Sequence, residues 1–167
     1  MKDQKNATSG LRLRREPLRR DCTGVRKILA SNGNFYPYEI DVAIELVQDR
    51  LERGEESDYT FVFLDVKGSL VGYTCYGPIC MTDNRFDLYW IAVHEDWRGK
   101  GLGGVLLAET EESIRQMNGT YLYIETSGKD DYVRTRAFYA KSGYLEVARI
   151  PHFYKDNDDK LIYMKRL

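Results

Sequence analysis

The chain alternates between two hydrophobic periods, and each change of period marks an element. LRLRREPL, residues 11–18, alternates apolar and basic positions as a strand with one solvated face does. From Asp21 the apolar residues Val25, Ile28 and Leu29 fall at helical spacing and stop near Gly33. After a turn predicted at FYPY (35–38), Ile40, Ala43, Ile44, Val47 and Leu51 predict a second helix over Glu39–Arg53, with Gly54 as its stop. The period then shortens to two. YTFVFLDVKG and SLVGYTCYGPICMT form two predicted strands joined at Lys67-Gly68, with a bend or bulge expected at Gly77-Pro78. FDLYWIAV (86–93), apolar almost throughout, predicts a central strand covered on both faces.

Helical spacing returns at Leu102, Val105, Leu106, Ile114 and Met117, with Glu111 and Arg115 placed for an i,i+4 pair and Asn118-Gly119 as the stop. TYLYIETS (120–127) is the next strand. Asp130 or Asp131 is expected to cap a helix through YVRTRAFYAKS that Gly143 ends, and YLEVARI and KLIYMKRL close the chain as strands. The order β-α-α-β-β-β-α-β-α-β-β predicts a single α/β domain over residues 11–167, a mixed sheet with helices on its faces, behind a flexible segment of residues 1–10.

Charge narrows the partners. Twenty-five basic residues against 26 acidic ones leave a net charge of -1, which gives no electrostatic case for nucleic acid or an anionic membrane. MKDQKNATSG does not resemble an export signal, and no stretch has the ~18 consecutive apolar residues that span a bilayer. A cytoplasmic protein is expected, with Cys22, Cys75 and Cys80 as reduced thiols.

The densest chemical signal is RGKGLGG, residues 98–104, which sets Gly99, Gly101, Gly103 and Gly104 immediately before the third helix. A glycine-rich turn into a helix presents several N–H groups at the positive end of the helix dipole, a seat for phosphate or diphosphate, and a Cβ there would hold the ligand away. GxxxxGK[ST] has no match in the segment, so it is not a P-loop. Gly99, Gly101 and Gly104 do spell the dinucleotide fingerprint GxGxxG, and Glu125 ends the next strand where a ribose-binding acid would stand. Against that, HEDWR separates the strand from the first glycine, and too little chain follows Gly104 for a doubly wound domain.

RGKGLG, after LYWIAV, resembles the RxxGxG acyl-CoA signature of the GNAT superfamily of N-acetyltransferases, and TRAFYAKSGY is similar to that superfamily's FYxxxGF/Y element. The resemblance covers Leu11 to Leu167 and implies a single-domain fold with a central, mixed but mostly antiparallel sheet of about seven strands flanked by about four helices. It implies acetyl-CoA as co-substrate. The N–H groups of Gly99, Lys100, Gly101, Leu102, Gly103 and Gly104 would bind the CoA diphosphate, with charge from Arg98 and Lys100. The strand Ile91, Ala92, Val93 would pair with the pantetheine arm, and the Val93 N–H would meet the developing oxyanion. The amine would attack the thioester directly, with no covalent enzyme intermediate.

A lysine-like amine with pKa ~10.4 is neutral in about one molecule in 2,500 at pH 7, roughly 4.6 kcal/mol of barrier unless a base takes the proton. Asp87, the single formal charge in FDLYWIAV, stands where many members carry a glutamate base; one methylene shorter, it is expected to work through water. Tyr139 corresponds to the tyrosine that protonates or hydrogen-bonds the departing CoA thiolate in many members. Tyr132 stands where many members have an asparagine that contacts the cofactor.

His94, Glu95 and Asp96 are consecutive and cannot readily converge on one metal ion, so no metal site is expected, although His94 is an alternative base. Tyr36, Tyr38, Tyr73, Tyr76, Tyr89 and Tyr154 could line an acceptor pocket, and PHFYKDNDDKLIY resembles the acceptor-side loop of members acting on protein N-termini. The expected activity is acetyl transfer from acetyl-CoA to a primary amine, on a small molecule or a peptide. A non-catalytic acyl-CoA sensor and, behind it, a dinucleotide-binding protein are the alternatives. The partners expected are acetyl-CoA and the amine, with a homodimer left open.

Overall fold

The structure, a computed structural model, describes residues 10–167, so all but Gly10 of the expected flexible segment lies outside the described residues. Seven strands and four helices follow in the predicted order: β1 (Leu11–Arg14), α1 (Asp21–Asn32), α2 (Pro37–Arg53), β2 (Thr60–Val66), β3 (Ser69–Pro78), β4 (Arg85–Val93), α3 (Leu102–Gln116), β5 (Tyr121–Ser127), α4 (Val133–Lys141), β6 (Leu145–Lys155) and β7 (Asp158–Arg166). The strands lie side by side in the order β1-β2-β3-β4-β5-β7-β6. β4 and β5 run parallel, whereas β1/β2, β2/β3, β5/β7 and β6/β7 are antiparallel. A doubly wound dinucleotide fold is built on a parallel sheet, so this topology removes that alternative. The chain divides into two compact units: residues up to Gly77 with Trp90–Thr110, and Pro78–Tyr89 with Glu111–Leu167.

In the first unit, one core joins Val25, Ile28 and Leu29 of α1 and Ile40, Ala43, Ile44 and Val47 of α2 to Phe61 and Phe63 of β2, Tyr73 and Cys75 of β3 and Ala92 of β4. The alternate positions of β3 serve α3: the Thr74 and Thr110 hydroxyls are hydrogen-bonded at 2.8 Å, and a Cβ on Gly72 would come within 2.9 Å of Leu106 Cδ1. Period-two alternation thus lets one strand pack against helices on both sides. Arg14 ties β1 to α1 and β2, donating to Asp21 Oδ2 at 2.6 Å and Asp65 Oδ2 at 2.8 Å with its guanidinium 4.5 Å above the Phe63 ring.

Three expectations change here. α2 begins at Pro37, inside the predicted turn, because a proline in the first helical turn forfeits no hydrogen bond and Glu39 accepts the Tyr36 N–H at 2.7 Å. The β-irregularity lies where the β2/β3 register shifts, between Leu64 and Asp65; Gly77-Pro78 instead ends β3, since proline offers no further donor. In α3, Leu102, Leu106 and Ile114 are buried as expected, but Val105 is exposed and Leu107 is buried, so the apolar stripe is rotated from the predicted face, and Met117, just past the helix end, is exposed.

In the second unit, Arg85–Leu88 of β4 pair with Tyr121–Ile124 of β5, and β5 pairs along its whole length with β7. Phe86, Leu88, Ile114, Leu122, Ile124, Tyr139, Tyr144, Leu161 and Tyr163 are buried. β4 is not covered on both faces: its burial alternates at Phe86 and Leu88, and Tyr89 is exposed. Neither Asp130 nor Asp131 caps α4. Both lie in a 3₁₀ turn, Asp130–Tyr132, whose approach is fixed by Arg136 donating to the carbonyls of Ser127 (2.9 Å) and Lys129 (2.7 Å). The expected acceptor-side loop is the end of the β6/β7 hairpin: β6 continues through Pro151–Lys155 with a broken register.

Candidate active site

The glycine loop belongs to the first unit, and its approach from β4 is fixed. The His94 N–H donates to Val71 O at 2.8 Å, the Glu95 N–H to Ser31 Oγ of α1 at 3.1 Å, and the Arg98 N–H to Glu95 O at 3.1 Å. His94 Nδ1 accepts the Asp96 N–H at 3.3 Å, which gives the imidazole a capping role in the turn before the loop. Among the described residues, no group of three His, Cys, Asp or Glu side chains is arranged to hold a metal ion.

Gly99 and Gly101 have φ of 72° and 78°, the left-handed region where a side chain is strained. Gly104 has no such φ, and a Cβ built on it would meet nothing within 4 Å. Neither backbone strain nor a protein neighbour therefore explains that glycine. The N–H groups of Gly104 and Val105 return to Gly101 O at 3.1 and 3.2 Å, whereas those of Gly99, Lys100, Gly101, Leu102 and Gly103 meet no acceptor among the described residues. Bare amides, open space and the positive end of α3 together suit a diphosphate. The Leu102 side chain is buried, so this residue has only its N–H to offer.

Of the two cations, Arg98 is exposed, while Lys100 folds back, its Nζ 4.4 Å from the Trp97 ring centroid and donating to Asp96 O at 2.9 Å. Ile91 and Val93 are half-buried and Ala92 is buried. The β4/β5 ladder ends at Leu88, so Tyr89 to Val93 extend five residues beyond the last rung.

Tyr139 and Asp87 belong to the second unit. Tyr139 is buried in α4 among Phe138, Tyr144 and Tyr163, with ring centroids 5.5–6.2 Å away. Burial, and secondarily Tyr132, pushes its phenol well above the ordinary tyrosine range, so it stays a proton donor at any physiological pH. Asp87 is half-buried; burial and then the nearby Glu125 carboxylate raise its pKa, with Lys160 opposing them. Register puts Asp87 opposite Tyr123, and Glu125 two residues along β5 shares that face. Sequence reasoning had used Glu125 only for the dinucleotide alternative and had missed Lys160; strand pairing, which spacing alone does not supply, brings them to Asp87.

Of the six candidate pocket tyrosines, Tyr73 and Tyr76 are fully buried core residues, a correction that follows from their place on β3. Tyr36, Tyr38, Tyr89 and Tyr154 are exposed, and Tyr36 and Tyr38 stack at 5.6 Å. A hollow of about 370 Å³ lined by Arg19, Cys22, Gln48, Leu51 and Glu52 holds none of the predicted site residues.

Comparison with known proteins agrees with this geometry. Residues 25–144 match the Acetyltransferase (GNAT) family. A solved structure assigned as an acetyltransferase of the GNAT family, from Desulfovibrio desulfuricans, is 42% identical, superposes with a TM-score of 0.92 and matches 93% of this chain and 98% of its own. An uncharacterised N-acetyltransferase of Methanocaldococcus jannaschii is 27% identical over 107 residues, 64% of this chain; the match spans 65% of that relative's length. The structure of an aminoglycoside 6'-N-acetyltransferase complexed with coenzyme A shares the fold at a TM-score of 0.74 and 17% identity, over 93% of this chain and 96% of that one. With the family's model matched over residues 25–144 and a 42% identical member superposing at a TM-score of 0.92, this chain belongs to the acetyltransferase (GNAT) family.

Proposed function

We propose that this protein transfers the acetyl group of acetyl-CoA to a primary amine by direct attack. The observation that carries the reading is the row of amides from Gly99 to Gly103 at the start of α3 that have no partner among the described residues, beside a Gly104 that neither strain nor packing against those residues requires. Acetyl-CoA is the co-substrate: these amides hold its diphosphate, Arg98 adds charge at the rim, and β4 beyond Leu88 offers the backbone of Ile91 and Val93 to the pantetheine arm. The Val93 N–H stabilises the oxyanion, a contact worth ~3 kcal/mol in comparable sites.

Asp87 takes the proton of the attacking ammonium, directly or through water. Its pKa, raised by burial and by Glu125, brings it nearer the operating pH than a solvated aspartate. The amine nitrogen then forms its bond to the acetyl carbon as the C–S bond breaks and gives up its second proton, which passes through solvent to the thiolate sulfur, while Tyr139, kept neutral by burial, donates a hydrogen bond to that sulfur.

Tyr139→Phe separates an enzyme from an acyl-CoA sensor. With a panel of amines and peptide N-termini, kcat should fall by about 10- to 100-fold while calorimetric affinity for acetyl-CoA changes less than twofold. Tight acetyl-CoA binding with no CoA release on any acceptor would favour the sensor.

A further inference from the structure

The face of the second unit's sheet that carries Asp87 also carries a lysine already seated in a cation site. The register pairs Asp87 with Tyr123, Glu125 with Ile162 and Ser127 with Lys160, so Asp87, Glu125 and Lys160 project from the same side. Leu122, Ile124, Leu161 and Tyr163 fill the opposite, buried side, while Tyr123, Ile162 and Met164 on the Asp87 side are only half-buried.

The Lys160 Nζ lies 2.6 Å from Glu125 Oε2, 3.8 Å from the Phe153 ring centroid and 6.0 Å from that of Tyr154. Its side chain keeps 13% of its accessibility, whereas Phe153 and Tyr154, on the sheet's edge strand, remain half exposed. A carboxylate on one side of an ammonium and an aromatic face on another are the two elements with which proteins recognise alkylammonium groups. Here both engage a four-carbon stem that can swing away, because lysine is long and rotamer-rich.

We propose that Glu125, Phe153 and Tyr154 form the acceptor's cation subsite, that Lys160 is its resident occupant, and that the acceptor is an alkylammonium compound that displaces it. On this face Lys160 is the cation that pairs with Glu125 and whose charge also acts on Asp87. A protonated amine entering as Lys160 swings out keeps Glu125 paired and comes to rest beside Asp87. Neutral amines gain nothing from the exchange. The subsite deepens the acetyl-transfer reading and depends on it for the reaction, though not for binding.

The test is calorimetric titration with 1,4-diaminobutane, a dication at neutral pH, and with 1-butanol as the uncharged control. Lys160→Met should bind the diamine about tenfold tighter than the native protein, the scale of one ammonium–aromatic and carboxylate contact set. Lys160→Arg, which keeps an occupant, should not; Glu125→Gln in the Lys160→Met background should cancel the gain; butanol should show none. Lys160→Gln serves where the methionine variant does not fold. In the native protein, diamine should also shift the Lys160 side-chain resonances. Folded variants that bind the diamine no tighter, or a Lys160 signal that does not respond, overturn the subsite. Tightened binding without CoA release would keep the subsite and sink the transfer reaction, and CoA release with unchanged affinities would do the reverse.

Discussion

Tyr144 donates its hydroxyl to Glu111 Oε1 at 3.0 Å, and the same buried carboxylate takes the Lys165 ammonium at 2.9 Å on each oxygen, with Arg115 at 3.5 Å. From spacing alone, Glu111 is predicted only as one end of an i,i+4 pair with Arg115. It is the polar centre of the packing between α3, Tyr144 after α4, and β7. Tyr144→Phe removes one donor and should lower stability by about 1–3 kcal/mol in urea unfolding. Lys165→Met should do more damage, because it takes from a buried carboxylate the nearer of its two cations and leaves it only Arg115 at 3.5 Å. A methionine variant as mild as the phenylalanine one would count against that order.

Gly104→Ala and Gly101→Ala should separate binding from folding. At Gly104 the backbone is ordinary and the space open, so alanine should leave stability unchanged or raise it by about 0.5–1 kcal/mol while weakening acetyl-CoA at least tenfold. At Gly101, with φ of 78°, alanine should also lower stability by about 1–2 kcal/mol. Melting temperature and calorimetric affinity, measured on both, check the pair.

Asp87 sets a pH dependence with a definite sign. Burial and Glu125 raise its folded pKa above the unfolded value, so the ionised carboxylate is disfavoured in the fold at neutral pH and the protonated form is not. Asp87→Asn should therefore be slightly more stable than the native protein at pH 7, and that advantage should fade as pH falls through the raised folded pKa. The acid limb of kcat/KM should lie above the usual aspartate range, and Lys160→Met, which removes the opposing charge, should move it further up. Stability curves of the two proteins that run parallel from pH 7 to pH 3 would contradict this.

Arg14 is the hinge pin of the first unit's β1, α1 and β2. Burial works against its charge, yet the hydrogen bonds to Asp21 and then Asp65 raise its pKa overall, so the guanidinium stays charged. Arg14→Met strands both carboxylates, of which Asp21 is fully buried, and should cost about 3–5 kcal/mol by chemical denaturation. Acetyl-CoA affinity per folded molecule should not change.

Element order was legible because hydrophobic period is local: Val25, Ile28 and Leu29 at helical spacing and FVFLDV at strand spacing each betray their conformation within a turn or a few residues. The glycine loop was legible for the same reason, since Gly99 and Gly101 permit backbone angles that other residues resist. Less local features were misjudged. Asp130 and Asp131 are good capping residues displaced by Arg136 reaching back to Ser127 and Lys129, and Val105 and Met117 fit the helical period of α3 yet face solvent.

By itself the sequence determined the succession of strands and helices, the bare amides before α3 and the tyrosine of α4, because each is specified by neighbours along the chain. Only the tertiary structure decided that Asp87, Glu125 and Lys160 share one face, that Glu111 is a buried centre of charge, and that Tyr73 and Tyr76 are core rather than pocket. Those relations depend on which strand lies beside which and in what register, and register is set by the side chains packed across the sheet, far apart in sequence.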